Sequence, residues 1–167
     1  MGAPRAQSQR CRPQQDQLDK ALEYATRATK GWPDNPDFLR LRAETFVFRG
    51  EAQRALADYQ RLHGDRAKEL IREVEELTEA VKADPADGRA RLLLGVYHYL
   101  RRHFDTASRE FTQAIELGQP RAVAWRAWAA AGMELKPEAI GDAKAYLARF
   151  PSDFATDEIR ALLKTLE

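Results

Sequence analysis

The fold is decided by residues 92–117, which read LLLGVYHYLRRHFDTASREFTQAIEL. Gly95 is followed 12 positions later by Ala107, and the pattern continues with Phe111 and Ala114. Two helices can cross closely only where a small residue on one leaves room for a side chain of the other. The same spacing occurs upstream, at Ala43, Ala55, Tyr59 and Leu62. The sequence therefore predicts repeated pairs of packed helices.

The charge balance of the chain limits the classes of partner. Lysine and arginine number 27, aspartate and glutamate number 26, and the formal net charge is +1. This balance argues against nucleic acid and against an anionic membrane surface, because both are bound through an excess of positive charge. The apolar run at 92–97 is far shorter than the ~20 residues that cross a bilayer. Since the start of the sequence resembles neither a secretory signal nor a myristoylation site, we expect a cytoplasmic protein.

The chain divides into a short tail and one helical domain. Residues 1–14 carry almost no large apolar side chain and are predicted to be a disordered tail, in which Cys11 is an incidental thiol. Residues 15–167 show apolar residues at helical spacing, interrupted by Gly and Pro, and no period-two alternation typical of strands. We predict an all-α fold with helices at about 15–30, 36–48, 51–62, 66–83, 88–101, 104–117, 121–134, 138–150 and 154–166.

These motifs resemble the tetratricopeptide repeat family, whose unit carries Trp, Leu-Gly, Tyr, Ala-x3-Phe and Pro within ~34 residues. In the unit that contains Leu94-Gly95, Arg91 stands at the Trp position and His98 at the Tyr position. The next unit recovers the Trp in Trp125-x2-Trp128-Ala129, and Ala129 lies 34 positions after Gly95. The resemblance implies a short α-solenoid of antiparallel helix pairs that covers roughly residues 18–150.

The sequence departs from a regular repeat array in three places. Residues 18–33 resemble only the second half of a unit, and Ala43 and Gly95 are 52 positions apart, which is one unit plus about one helix. The extra helix, 66–83, is either a second-type helix without a first-type partner or one arm of a kinked pair with 51–62. The last unit fits with an insertion of about two residues near 135–137. The final helix, with an apolar face at Ile159, Leu162, Leu163 and Leu166, is predicted to cap the array.

The resemblance also implies a binding groove, because in this family the first helix of each unit lines an inner surface. Carried over by position, the groove residues are Arg40, Glu44, Val47, Leu92, Val96, Tyr99, Arg126, Ala130 and Met133. Such a lining fits an extended or helical peptide with apolar side chains and an acidic group. The alternative is that these are ordinary packing or surface residues. The family's carboxylate clamp of Lys, Arg and Asn is not expected, since Asn35 is the one asparagine.

The sequence carries no motif for a cofactor, a metal site or a catalytic site. His98 and His103 are five positions apart, whereas two ligands on one helix need a spacing of three or four. No Gly-rich phosphate loop or nucleophile motif is present. We therefore expect a non-catalytic scaffold that binds a protein or peptide, and nucleic acid is an unlikely ligand. The alternative is a structural module that self-associates or assembles into a larger complex through its incomplete repeat ends.

Overall fold

The structure is a computed structural model that describes the backbone of residues 5–64 and 67–167 and the side chains of 15–64 and 68–167. In this part of the chain every regular element is a helix. The helices are α1 (Arg5–Gly31), α2 (Pro36–Arg49), α3 (Ala52–His63), α4 (Ala67–Ala83), α5 (Gly88–Leu100), α6 (Phe104–Glu116), α7 (Ala122–Gly132), α8 (Lys136–Arg149) and α9 (Thr156–Leu166). The all-α prediction is confirmed. The side chains of the predicted tail, 1–14, lie outside the described residues, so the boundary at residue 15 stays a prediction.

Local sequence signals explain where α2 and α5 begin and where the first helix of each pair ends. Asn35 and Asp87 are the N-caps of α2 and α5, and each side chain accepts hydrogen bonds from two backbone N–H groups of the first turn. Three turns between paired helices use a left-handed residue, which is Gly50 after α2, Arg102 after α5 and Glu134 after α7. These three residues mark the same point in three helix pairs, α2–α3, α5–α6 and α7–α8.

The shared turn corrects the predicted repeat register. Gly50 and Arg102 lie seven positions after Ala43 and Gly95, and seven positions before Glu134 is Ala127. The next matching residues, Ala139, Ala143 and Tyr146, follow at the spacing found upstream and are fully buried. The expected match of Gly95 with Ala129, and the insertion near 135–137, are therefore wrong. The period here is 32 residues, because α7 has 11 residues where α5 has 13.

The packing of the extra helix α4 agrees with the first of the two alternatives, a second-type helix without a first-type partner. It packs along α5 and barely contacts α3. Its apolar stripe, which contacts the core, consists of Leu70, Val74, Leu77 and Val81. Helix α4 therefore stands beside α5 as α1 stands beside α2, as a second-type helix without a first-type partner.

The N-terminal unit, α1–α3, packs against the helices that follow α4. The indole N–H of Trp125 in α7 donates a hydrogen bond to the carbonyl oxygen of Val47 in α2, at 3.2 Å. The backbone N–H of Gln53 donates to the carboxylate of Glu158 in α9, at 3.0 Å. A Cβ on Gly50 would lie within 3.6 Å of atoms in α7 and of Ala155. The turn between α2 and α3 thus sits at the start of both α7 and α9.

Candidate functional site

The predicted groove is not an open surface, because four of its residues belong to the core. Val47 and Val96 are completely buried, Leu92 is 1% exposed and Ala130 is 3% exposed. The expectation that these four side chains line an accessible groove is therefore wrong. Their apolar character is explained by the N-terminal unit, which packs over the face of α5 and α7 that the family resemblance assigns to the groove.

Arg40 and Glu44 belong to a polar cluster between α2, α4 and α5. The guanidinium of Arg40 pairs with the carboxylate of Glu73 at 2.6 Å, and this hydrogen bond raises the pKa of Arg40 above its usual range. Burial raises the pKa of the Glu44 carboxyl, which Arg40 partly opposes. Burial also raises the pKa values of Tyr59 and Tyr97, whose ring centroids lie 5.3 Å apart. The positive charge of Arg40 therefore interacts with Glu73 and Glu44 within the protein.

The remaining predicted groove residues do not form one surface. Tyr99 is half-buried against Phe104 and Trp125, at centroid distances of 5.1 and 6.0 Å. Arg126 donates two hydrogen bonds to Asp142 of α8, both at 2.7 Å. Met133 is the C-cap of α7. The corrected register explains this: it places Ala124, Trp128 and Ala131, and not Arg126, Ala130 and Met133, at the groove positions of α7.

A cleft of about 290 Å³ remains open between α1 and the start of α5 and α7. Its apolar floor includes Leu18 and Ala21 from α1, Phe48 from α2 and Leu92 from α5. On its far side is the turn between α6 and α7, at 118–122. The sequence did not reveal this cleft, because its walls come from segments up to about a hundred residues apart and no local pattern connects them.

Two arginines flank the cleft, and they differ in whether they form an ion pair. Arg121 donates two hydrogen bonds to the carboxylate of Asp153, at 2.6 and 3.3 Å. Arg89 is exposed, and its guanidinium carbon lies 4.3 Å from the ring centroid of Phe48. Among the described residues, no carboxylate lies within ion-pair distance of Arg89. Arg89 therefore presents a positively charged group next to an apolar floor.

The two histidines considered as metal ligands have other surroundings. Their rings are 6.1 Å apart, His98 is half-buried, and His103 lies in the turn before α6. Burial lowers the pKa of His98, and the neighbouring His103 lowers it further. Within the described ranges, no group of three or more His, Cys, Asp or Glu side chains is arranged to hold a metal ion. In those ranges the helices also include none that is both long and apolar enough to cross a membrane.

The antiparallel pairs α2–α3, α5–α6 and α7–α8, which share one spacing of small residues and one turn, define a helical repeat protein. A family model described as tetratricopeptide repeat matches residues 14–68. This match covers about a third of the chain and, together with the helix pairs, supports a tetratricopeptide repeat protein. Repeats of this kind generally mediate protein–protein interactions. A search of curated proteins found no match.

Proposed function

We propose that this protein is a non-catalytic adaptor that binds a protein partner. The observation that carries the proposal is its construction from tetratricopeptide repeat pairs, a family that is typically a non-catalytic scaffold. The open cleft beside Arg89 supplies a concave surface with an apolar floor, which is the kind of surface that binds a peptide. Balanced charge and a single cysteine support a cytoplasmic location.

The test is affinity capture with the purified chain, followed by reconstitution with the purified candidate. We expect at least one protein to bind the chain directly and saturably in calorimetry. Recovery of nucleic acid alone, or of proteins that fail to bind once purified, would contradict the proposal. Nuclease treatment of the sample distinguishes a direct protein partner from one that is bridged by nucleic acid, because only the bridged partner is lost on treatment.

A second candidate function is self-association through α1. Tyr24 on this helix and Trp32, directly after its end, are 62% and 64% exposed. Exposed aromatic residues are enriched at protein interfaces. Light scattering across a range of concentrations tests this candidate. A dimer that Tyr24→Ser and Trp32→Ser dissociate would support it, and a monomer at high concentration would exclude it.

A further inference from the structure

The cleft at Arg89 differs in position from the groove that the family resemblance implies. That groove follows the first helices of successive units, and here α2 covers it. The cleft instead opens between α1, a second-type helix, and the turn that leads from α6 into α7.

The size of the cleft favours an extended peptide over a helix. A helix with its side chains is about 10 Å across, whereas about 290 Å³ holds only a few side chains. Leu18, Phe48 and Leu92 give the floor an aliphatic and aromatic surface for one large apolar side chain. An extended segment places alternate side chains on the same side. Two side chains at positions i and i+2 can therefore enter the cleft together.

The positive charge of Arg89 favours an acidic residue as the second side chain of the peptide that enters the cleft. The guanidinium of Arg89 lies over the ring of Phe48, and its N–H groups can donate hydrogen bonds to a ligand. The guanidinium of Arg121 is already paired with Asp153. A planar guanidinium recognises a carboxylate through two parallel hydrogen bonds. Because Arg89 adjoins the apolar floor, a carboxylate two positions from a large apolar residue would satisfy both features at once.

We infer that the cleft binds an extended segment of the partner protein that carries an acidic residue two positions from a large apolar residue. The inference rests on the proposed adaptor function and specifies the site and the chemistry of its ligand. In the complex, the carboxylate accepts hydrogen bonds from Arg89, and the apolar side chain covers Leu18 and Phe48.

The test is selection of a random 12-residue peptide library displayed on phage against the full chain, against Arg89→Glu and against Arg109→Glu. Arg109 is a matched control, because it is exposed on α6 and does not line the cleft. A glutamate at position 89 falls in the first turn of α5, where negative charge is favoured, so Arg89→Glu should fold. We expect acidic-x-apolar peptides with the wild type and with Arg109→Glu, and basic-x-apolar peptides with Arg89→Glu.

Fluorescence polarisation with a selected peptide then measures the effect. Replacing attraction by repulsion at Arg89 should weaken binding at least about tenfold. Peptides without an acidic residue, equal binding to all three proteins, or no enrichment would overturn the inference. A captured protein partner that binds Arg89→Glu as tightly as the wild type would overturn the cleft and leave the adaptor function intact. Absence of any protein partner would count against both.

Discussion

Arg42 of α2 and Asp58 of α3 form a bidentate pair in which both hydrogen bonds measure 2.6 Å. The remaining terminal nitrogen of Arg42 donates to the hydroxyl of Thr29 in α1. The same arrangement recurs downstream, with the arginine and the aspartate 84 positions later and the threonine 83: Arg126 bonds to Asp142 in α8 and to the hydroxyl of Thr112 in α6. Each arginine thus joins three consecutive helices.

Asp58→Ala should destabilise the protein by about 3 kcal/mol, because it leaves the guanidinium of Arg42 without its partner in a site where Arg42 is only 19% exposed. Urea denaturation measures the change. The matched control is Asp157→Ala, which removes an exposed pair with Arg160 and should cost about 1 kcal/mol or less. Equal effects of the two substitutions would show that the Arg42 pair contributes no more than a surface pair.

Gly95→Ala should also destabilise the protein, by about 1–2 kcal/mol, although alanine is the better helix former. A Cβ at this position would lie 2.6 and 2.7 Å from two ring carbons of Phe111. Phe111 is completely buried, and its ring is 6.0 Å from that of Trp125, so it cannot move aside freely. Thermal unfolding measures the loss.

Gly141→Ala is the same substitution at a position where we expect the opposite effect on stability. Gly141 lies within α8, and a Cβ there would meet no atom within 4 Å. Only helix propensity changes, so we expect a gain of about 0.5–1 kcal/mol. A gain of stability at Gly95 would contradict the close crossing of α5 and α6, and a loss at Gly141 would contradict the open space around that residue.

Glu44→Gln should stabilise the protein at neutral pH. Burial raises the pKa of Glu44 above its usual value of 4.5, and Glu73 adds to this, while Arg40 and Arg89 act against it. The folded state therefore holds the proton more tightly than the unfolded state, and wild-type stability falls as the pH rises from the unfolded pKa through the folded pKa. Glutamine has no proton to lose, so its advantage is largest above that window.

The measurement is the difference in melting temperature between Glu44→Gln and the wild type from pH 4 to pH 8. We expect the difference to grow with pH. Glu75→Gln, on the exposed surface of α4, controls for the loss of one negative charge. A difference for Glu44→Gln that does not change with pH would show that desolvation of its carboxylate is not the cause.

The helices themselves could be predicted from the sequence, because each carries an apolar stripe and ends at a recognisable break. The spacing of Ala43 and Ala55, and of Gly95 and Ala107, correctly identified the close crossings within two pairs. In the last pair, two tryptophans suggested a register two residues away from the observed one. Family resemblance favoured Trp125 as a marker, whereas the backbone turn at Glu134 fixes the match at Ala127.

The site could not be predicted, because a helical period shows which face is buried and not which element covers it. Val96 has the same apolar character whether it lines a groove or packs under α2. The groove residues are buried because the N-terminal unit packs against α5, α7 and α9. The cleft beside Arg89 follows from the same long-range packing.

The measurement that tests the central claim most directly is an engineered disulfide between the N-terminal unit and α9. Gly50→Cys and Ala155→Cys, in a Cys11→Ser background, place two Cβ atoms 3.6 Å apart, within the range of about 3.5–4.5 Å that disulfides require. The control pair is Gly50→Cys with Ala161→Cys, since residue 161 lies about 9 Å further along the helix. If the N-terminal unit packs over the inner face, mild oxidation should consume both thiols of the first pair within one chain and leave the control pair reduced. Free thiols, or only disulfides between chains, in the first pair would contradict this account.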